Sequence, residues 1–94
     1  MPDDLRDAPV IERGTHAEKL LKDPLLIEAF EKVKAALTSK WETSPARDRE
    51  GREYLYLMIK ATNDARGYLE QAVRDGKVAL HSREERRLFG LLRR

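Results

Sequence analysis

Residues 45–75 carry apolar side chains at intervals of three and four positions, which predicts one long amphipathic helix. A narrow row along this helix repeats every seven residues and consists of Leu55, Met58, Thr62, Ala65, Leu69 and Ala72. A row this narrow, with small side chains near its centre, is typical of a helix that lies closely against another helix. The pattern therefore predicts a packing surface, shared between core and interface, and not the wall of a catalytic pocket.

A second amphipathic pattern covers residues 24–42. The large apolar residues expected to share its buried face are Leu26, Phe30, Val33 and Leu37. Asp23 and Pro24 precede it, and they suit an N-cap and the first position of a helix. Because a proline disfavours helical geometry at the residue before it, we expect a bend here. A short helix over residues 16–22, capped by Thr15 with Glu18, should precede the bend.

The segment Thr43-Ser44-Pro45 is the clearest interruption in the chain, with Ser44 expected to cap the following helix. A connection this short makes the flanking helices antiparallel neighbours. Gly76 is expected to close the second helix in a left-handed conformation. The sequence thus predicts an all-α fold whose main part, residues 15–76, is a long antiparallel helical hairpin bent near Pro24.

The two ends of the chain differ in charge. Residues 1–12 hold four acidic and one basic residue, whereas residues 77–94 hold six basic and two acidic residues. We expect residues 1–14 to form an extended or flexible acidic arm and residues 77–94 a basic helix or arm. In the basic arm, Ser82 and Glu85 match a capping box, which predicts a short C-terminal helix over residues 83–93. Both arms could simply be solvated, or each could meet a different partner.

The basic arm combines arginines with large apolar residues, and its candidate contact residues are Arg83, Arg86, Arg87, Leu88, Phe89, Arg93 and Arg94. Three interpretations stay open. The apolar residues could dock on the hairpin of the same chain, or they could insert into a neighbouring subunit or a larger partner. Alternatively, the arginines could hold nucleic acid, in which case each phosphate contact would make binding more sensitive to salt.

Composition favours association over independent folding. The chain has 94 residues, of which 38% are charged and only 6% aromatic, so little apolar material is available for a private core. Oligomerisation or docking on a larger assembly is a common remedy in chains of this size. The absence of cysteine excludes disulfides, and no stretch is apolar enough to predict a membrane span. We therefore expect a soluble, intracellular protein.

Candidate chemistry is sparse. His16 and His81 are far apart in the sequence and show no metal-ligand spacing, and the five glycines are scattered singly, without a phosphate-binding loop. Thr15 and Ser82 adjoin the two histidines, but both are accounted for as expected helix caps, and neither sits at the tight strand-to-helix turn that activates a nucleophile. We expect neither an enzyme nor a metal or other cofactor.

Residues 12–79, about seven-tenths of the chain, resemble small helical proteins encoded among the head and DNA-packaging genes of tailed bacteriophages. The matching elements are Arg13-Gly14 before Ala17, Leu20-Leu21 before Asp23-Pro24, Trp41 near Thr43, the basic patch from Arg49 to Arg52 before Tyr54-Leu55, and Gly76-Lys77-Val78-Ala79. None of these elements is a catalytic signature.

The resemblance implies a virion or DNA-packaging accessory protein and not an enzyme. Together with the narrow apolar row, it favours an assembly module that self-associates and docks on a larger head or packaging protein. It would then act in the virion or the host cytoplasm. The alternative is a nucleic-acid-binding accessory, similar to a small terminase subunit, that uses the basic C-terminal segment. The chain departs from that family because an acidic arm, and no helix-turn-helix, precedes the hairpin.

Overall fold

A computed structural model describes residues 2–93, with side chains from Arg6 onward. These residues form three helices, α1 (Pro2–Lys22), α2 (Pro24–Thr43) and α3 (Arg49–Leu92), and contain no strand. The all-α fold class predicted from the sequence is confirmed. The predicted lengths of the first and last helices are wrong.

The break between α1 and α2 is confirmed at the predicted residues. Asp23 adopts an extended conformation, and its carboxylate accepts hydrogen bonds from the backbone N–H groups of Leu25 at 2.8 Å and Leu26 at 3.4 Å. Pro24 occupies the first turn of α2, where its missing N–H costs nothing. The local sequence alone is sufficient for this cap.

The predicted extended arm over residues 1–14 is wrong for the residues described, because α1 begins at Pro2. The expected capping box at Thr15 is wrong as well. Thr15 lies inside α1, and its hydroxyl donates to the Ile11 carbonyl one turn earlier, at 3.0 Å. The helix extends through these residues because Gly14 is buried against α3 within the same compact unit.

The junction between α2 and α3 also differs from the prediction. Ser44 follows α2, and its hydroxyl donates to the Trp41 carbonyl at 2.6 Å. α3 begins four residues later than expected, at Arg49, and Asp48 caps it by accepting from the Gly51 N–H at 3.1 Å. Asp48 therefore has the role that the sequence had assigned to Ser44.

The predicted end of the second helix at Gly76, and the separate helix over residues 83–93, are wrong. α3 continues without interruption to Leu92, and no described glycine has a positive φ. Ser82 therefore lies inside α3 and does not begin a new helix. Gly76 serves close helix packing, which explains a glycine at this position without a helix stop.

The chain divides into two compact units, and this division differs from the predicted arms and hairpin. The first unit combines the first 21 residues with the end of the chain from Leu69, so it contains most of α1 and the second half of α3. The second unit spans Lys22–Tyr68 and contains α2 and the first half of α3. Each unit is described separately below.

Candidate interaction surface

The described residues bury very little apolar material. Ala17 and Ala72 are the hydrophobic residues among them that are buried, and no large side chain there is fully buried. The large apolar side chains that stay exposed make the surface of the described residues the first place to look for function.

The first unit is held by a close contact between small residues of two helices. Gly14 of α1 faces Ala72 and Gly76 of α3, and these three residues are buried, as is Ala17 one turn further along α1. A Cβ atom at Gly14 would lie 2.8 Å from the Ala72 carbonyl oxygen and 2.9 Å from the Gly76 Cα. One at Gly76 would lie 3.0 Å from the Gly14 Cα. Glycine is therefore required at both positions by the approach of the two backbones.

The seven-residue row predicted on α3 is divided between covered and open positions. Ala72 is buried, and Leu55, Thr62 and Leu69 are half-buried. Met58 and Ala65 are exposed. The row thus lies along the edge of the packed face of α3.

The predicted row on α2 divides in the same way. Leu26, Phe30 and Leu37 are half-buried, whereas Val33 keeps 49% of its surface exposed. Each row of the second unit thus includes a large apolar side chain that stays exposed, Val33 on α2 and Met58 on α3.

The sequence did not predict the contact that joins the start of α3 to the end of α2. The Arg52 guanidinium lies 4.7 Å from the centre of the Trp41 ring. Its Nη1 donates to the Ser44 hydroxyl at 2.9 Å, to the Ser44 carbonyl at 3.3 Å and to the Trp41 carbonyl at 3.2 Å. The arginine thus adds a further donor to the Trp41 carbonyl, which also accepts from Ser44, and it holds the residue that directly follows α2. The sequence feature that could have predicted this contact is a Trp and an Arg on either side of a short loop between two helices.

The basic C-terminal residues lie on α3, within the first unit. Arg86 forms an ion pair with Asp7 of α1, and Arg87 pairs with Glu84 at 3.2 Å. Arg83 and Arg93 are exposed, as are Leu88 at 56% and Phe89 at 63%. Arg94 lies outside the described residues. The Arg86–Asp7 ion pair thus joins the acidic beginning of the chain to its basic end.

The second unit contains a small open cleft of about 130 Å³. Its lining residues are Phe30, Glu31, Lys34, Thr62, Asn63 and Arg66. Among the described residues, no group of three or more His, Asp or Glu side chains is placed to hold a metal ion. In the same part of the chain, no helix has both the length and the apolar character needed to cross a membrane.

Comparison of the chain with protein-family models, with curated proteins and with solved structures gives no match. The functional assignment therefore rests on the residues and contacts described above.

Proposed function

We propose that this chain is a non-enzymatic assembly protein that self-associates and docks on a larger partner through exposed apolar helix faces. One observation carries the proposal: in the described residues only small hydrophobic side chains are buried, whereas large ones such as Leu25 and Leu92 stay 74% and 81% exposed. Contiguous apolar surface outside a core is characteristic of interaction sites. Burying each such side chain would contribute roughly 1.5–3 kcal/mol.

The antiparallel helical hairpin predicted over residues 15–76 is part of this proposal. Its support is the order of contacts within the second unit, where Trp41 meets Arg52 and Phe30 shares a cleft with Thr62. Two helices joined by a short loop form a stable layer with two faces. Where the outer face of such a layer is apolar, it is stable only when another element or chain covers it.

The biological setting that we propose is the head or DNA-packaging machinery of a tailed bacteriophage, in the virion or the host cytoplasm. The resemblance of residues 12–79 to small helical proteins of that setting supports it, and so does the surface suited to association. Direct binding of nucleic acid is the less favoured alternative. Arg86 and Arg87 already have carboxylate partners, which weakens the field that a phosphate would experience.

Self-association is tested by measuring the absolute mass of the full-length chain with light scattering over a hundredfold range of concentration. We expect a mass that rises above the 10.9 kDa of one chain to a defined multiple. A mass of one chain at every concentration would contradict self-association. The phage setting is tested separately by mass spectrometry of purified heads and packaging intermediates from a phage that carries this sequence, and absence from all of them would contradict it.

A further inference from the structure

The second unit carries an open apolar surface that its own helices leave uncovered. On α2 the exposed apolar side chains follow a helical row formed by Leu25, Ala29, Val33 and Ala36. On the first half of α3 a matching row is formed by Leu57, Met58, Ala61 and Ala65. These eight residues are called the apolar face below. Every one of them is exposed, and the four larger side chains expose between 40% and 74% of their surface.

Both rows lie on the same side of the second unit. The order of contacts, Trp41 with Arg52 and Phe30 near Thr62, indicates that α2 and the first half of α3 run in opposite directions. Successive residues of a helix are 100° apart around its axis. On this basis, the exposed row of each helix is displaced in the same rotational direction from the residues that contact the other helix. Since the helices are antiparallel, equal rotations bring both rows to one side. The opposite side carries polar residues such as Glu31 and Lys60.

We propose that the apolar face is the site at which a second copy of this chain binds, so that two copies form a four-helix bundle. This inference rests on the proposed function and specifies its self-association. A two-helix layer that is apolar on one side and polar on the other can cover its apolar side by pairing with an identical layer. Such a contact is self-complementary, as a two-fold interface requires.

The composition of the apolar face suits a homodimer, because the centre of such an interface is more apolar than ordinary protein surface. Its four larger side chains expose between 40% and 74% of their surface, and they would lie at the centre of an interface to which each partner contributes about 800 Å². The small Ala29, Ala36, Ala61 and Ala65 would allow the facing helices to approach closely.

Charges at the edges of the face indicate which helices meet. Lys40 lies beside the row on α2, as does Lys32, which pairs with Glu28 at 2.9 Å. Glu50 and Asp64 lie beside the row on α3. Placing α2 of one copy opposite α3 of the other brings lysines towards carboxylates, whereas placing α2 on α2 brings lysines together. The charges therefore favour the first arrangement.

Two adjacent alanines of α2 provide a matched test. Both alanines are exposed, but Ala36 belongs to the apolar face and Ala35 lies on the polar side of α2. Glutamate is a good helix former at both positions. In Ala36→Glu a carboxylate would be buried between the copies, so we expect the dimer dissociation constant to rise at least about tenfold. In Ala35→Glu we expect a change of no more than about twofold.

A second pair of substitutions, on α3, tests the apolar face independently of the pair on α2. Met58→Lys is placed on the apolar face and Tyr56→Lys on the polar side of the same helix; the two native side chains are 40% and 57% exposed. Far-UV circular dichroism establishes that each variant is helical. Sedimentation velocity of the full-length chains then gives the dissociation constants.

The proposal is supported if wild type dimerises and only Ala36→Glu and Met58→Lys dissociate. If wild type dimerises and the face variants bind as tightly as their controls, the apolar face is not the interface, while self-association as such stands. If wild type is a monomer at all concentrations, both the dimer and the proposed self-association are overturned.

Discussion

Glycine has three different roles in this chain, which the residues around each one determine. Gly14 and Gly76 allow two backbones to approach, the Gly51 N–H donates to the Asp48 carboxylate that caps α3, and Gly67 and Gly90 have nothing within 4 Å of an added Cβ. A glycine inside a helix costs roughly 0.5–1 kcal/mol relative to alanine. That cost is offset where the glycine permits a close contact and is uncompensated where the surroundings are empty.

We therefore expect opposite effects from the same substitution at different glycines. Gly14→Ala should lower the free energy of unfolding by about 1–3 kcal/mol, because the new methyl group would meet backbone atoms that cannot move independently. Gly67→Ala should raise it by up to about 1 kcal/mol. Urea denaturation followed by circular dichroism measures both. Equal stabilisation by the two substitutions would show that α1 does not pack closely at Gly14.

Arg52 shows how one side chain can close a junction between helices. Its planar guanidinium lies near the Trp41 ring while donating to two residues at the end of α2. We expect Arg52→Lys to lower the free energy of unfolding by about 1 kcal/mol. An ammonium group lacks the planar shape that lets a guanidinium stack on an aromatic ring while it donates hydrogen bonds to neighbouring groups. Trp41 is the only tryptophan, so its fluorescence maximum reports directly on the site. Arg49→Lys, at the beginning of the same helix, is the control and should leave the spectrum unchanged.

At the scale of the helices, the sequence predicted what depends on near neighbours. Asp23 and Pro24 define the start of α2 by themselves, because both the capping acceptor and its donors lie within three residues. Thr15 and Ser82 have the same local signature, yet both lie inside longer helices. A capping box predicts a helix start only where the preceding residues are not held in a helix by other contacts.

Gly76 illustrates the same limit from the other end of a helix. A glycine followed by Lys77 and a change in pattern resembles a C-terminal stop. The deciding partner, Gly14, is more than sixty positions away in the sequence, so periodicity could not reveal it. The division of the predicted rows into covered and exposed positions depends on such long-range contacts as well. The apolar content of the rows was readable from the sequence, whereas their uncovered edges were not.

The Asp23 cap provides a test at this scale. We expect Asp23→Ala to lower the free energy of unfolding by about 1 kcal/mol, because the N–H groups of Leu25 and Leu26 lose their acceptor. Asp23→Asn keeps an acceptor oxygen and should cost much less. Thermal melts of the three proteins measure the difference. A cost in Asp23→Asn as large as in Asp23→Ala would indicate that the negative charge, and not the hydrogen bonds, stabilises the start of α2.

For the molecule as a whole, the proposed self-association would also affect stability. Within the described residues only small hydrophobic side chains are buried, which leaves large apolar side chains exposed in the single chain. Binding that involves only the folded state adds to stability in proportion to the logarithm of concentration. Small charged chains without disulfides commonly depend on such a contribution.

We accordingly expect the melting temperature to rise with protein concentration. Across a hundredfold range the increase should amount to several degrees, because association adds up to about 2.7 kcal/mol over that range. Calorimetry of the full-length chain measures this, with Ala36→Glu as the comparison that should show a flatter dependence. A wild-type melting temperature that is independent of concentration would contradict coupled folding and association.

The order of segments along the chain also governs how truncation would affect it. The second unit is one continuous stretch, Lys22–Tyr68, whereas the first is assembled from both ends. Exopeptidases or staggered gene deletions would consequently erode the first unit before reaching any residue of the apolar face. If the apolar face pairs two copies as proposed, shortened chains would compete with intact chains for the same binding site. Partial degradation would then lower the number of dimers that contain two intact chains by more than the loss of intact protein alone.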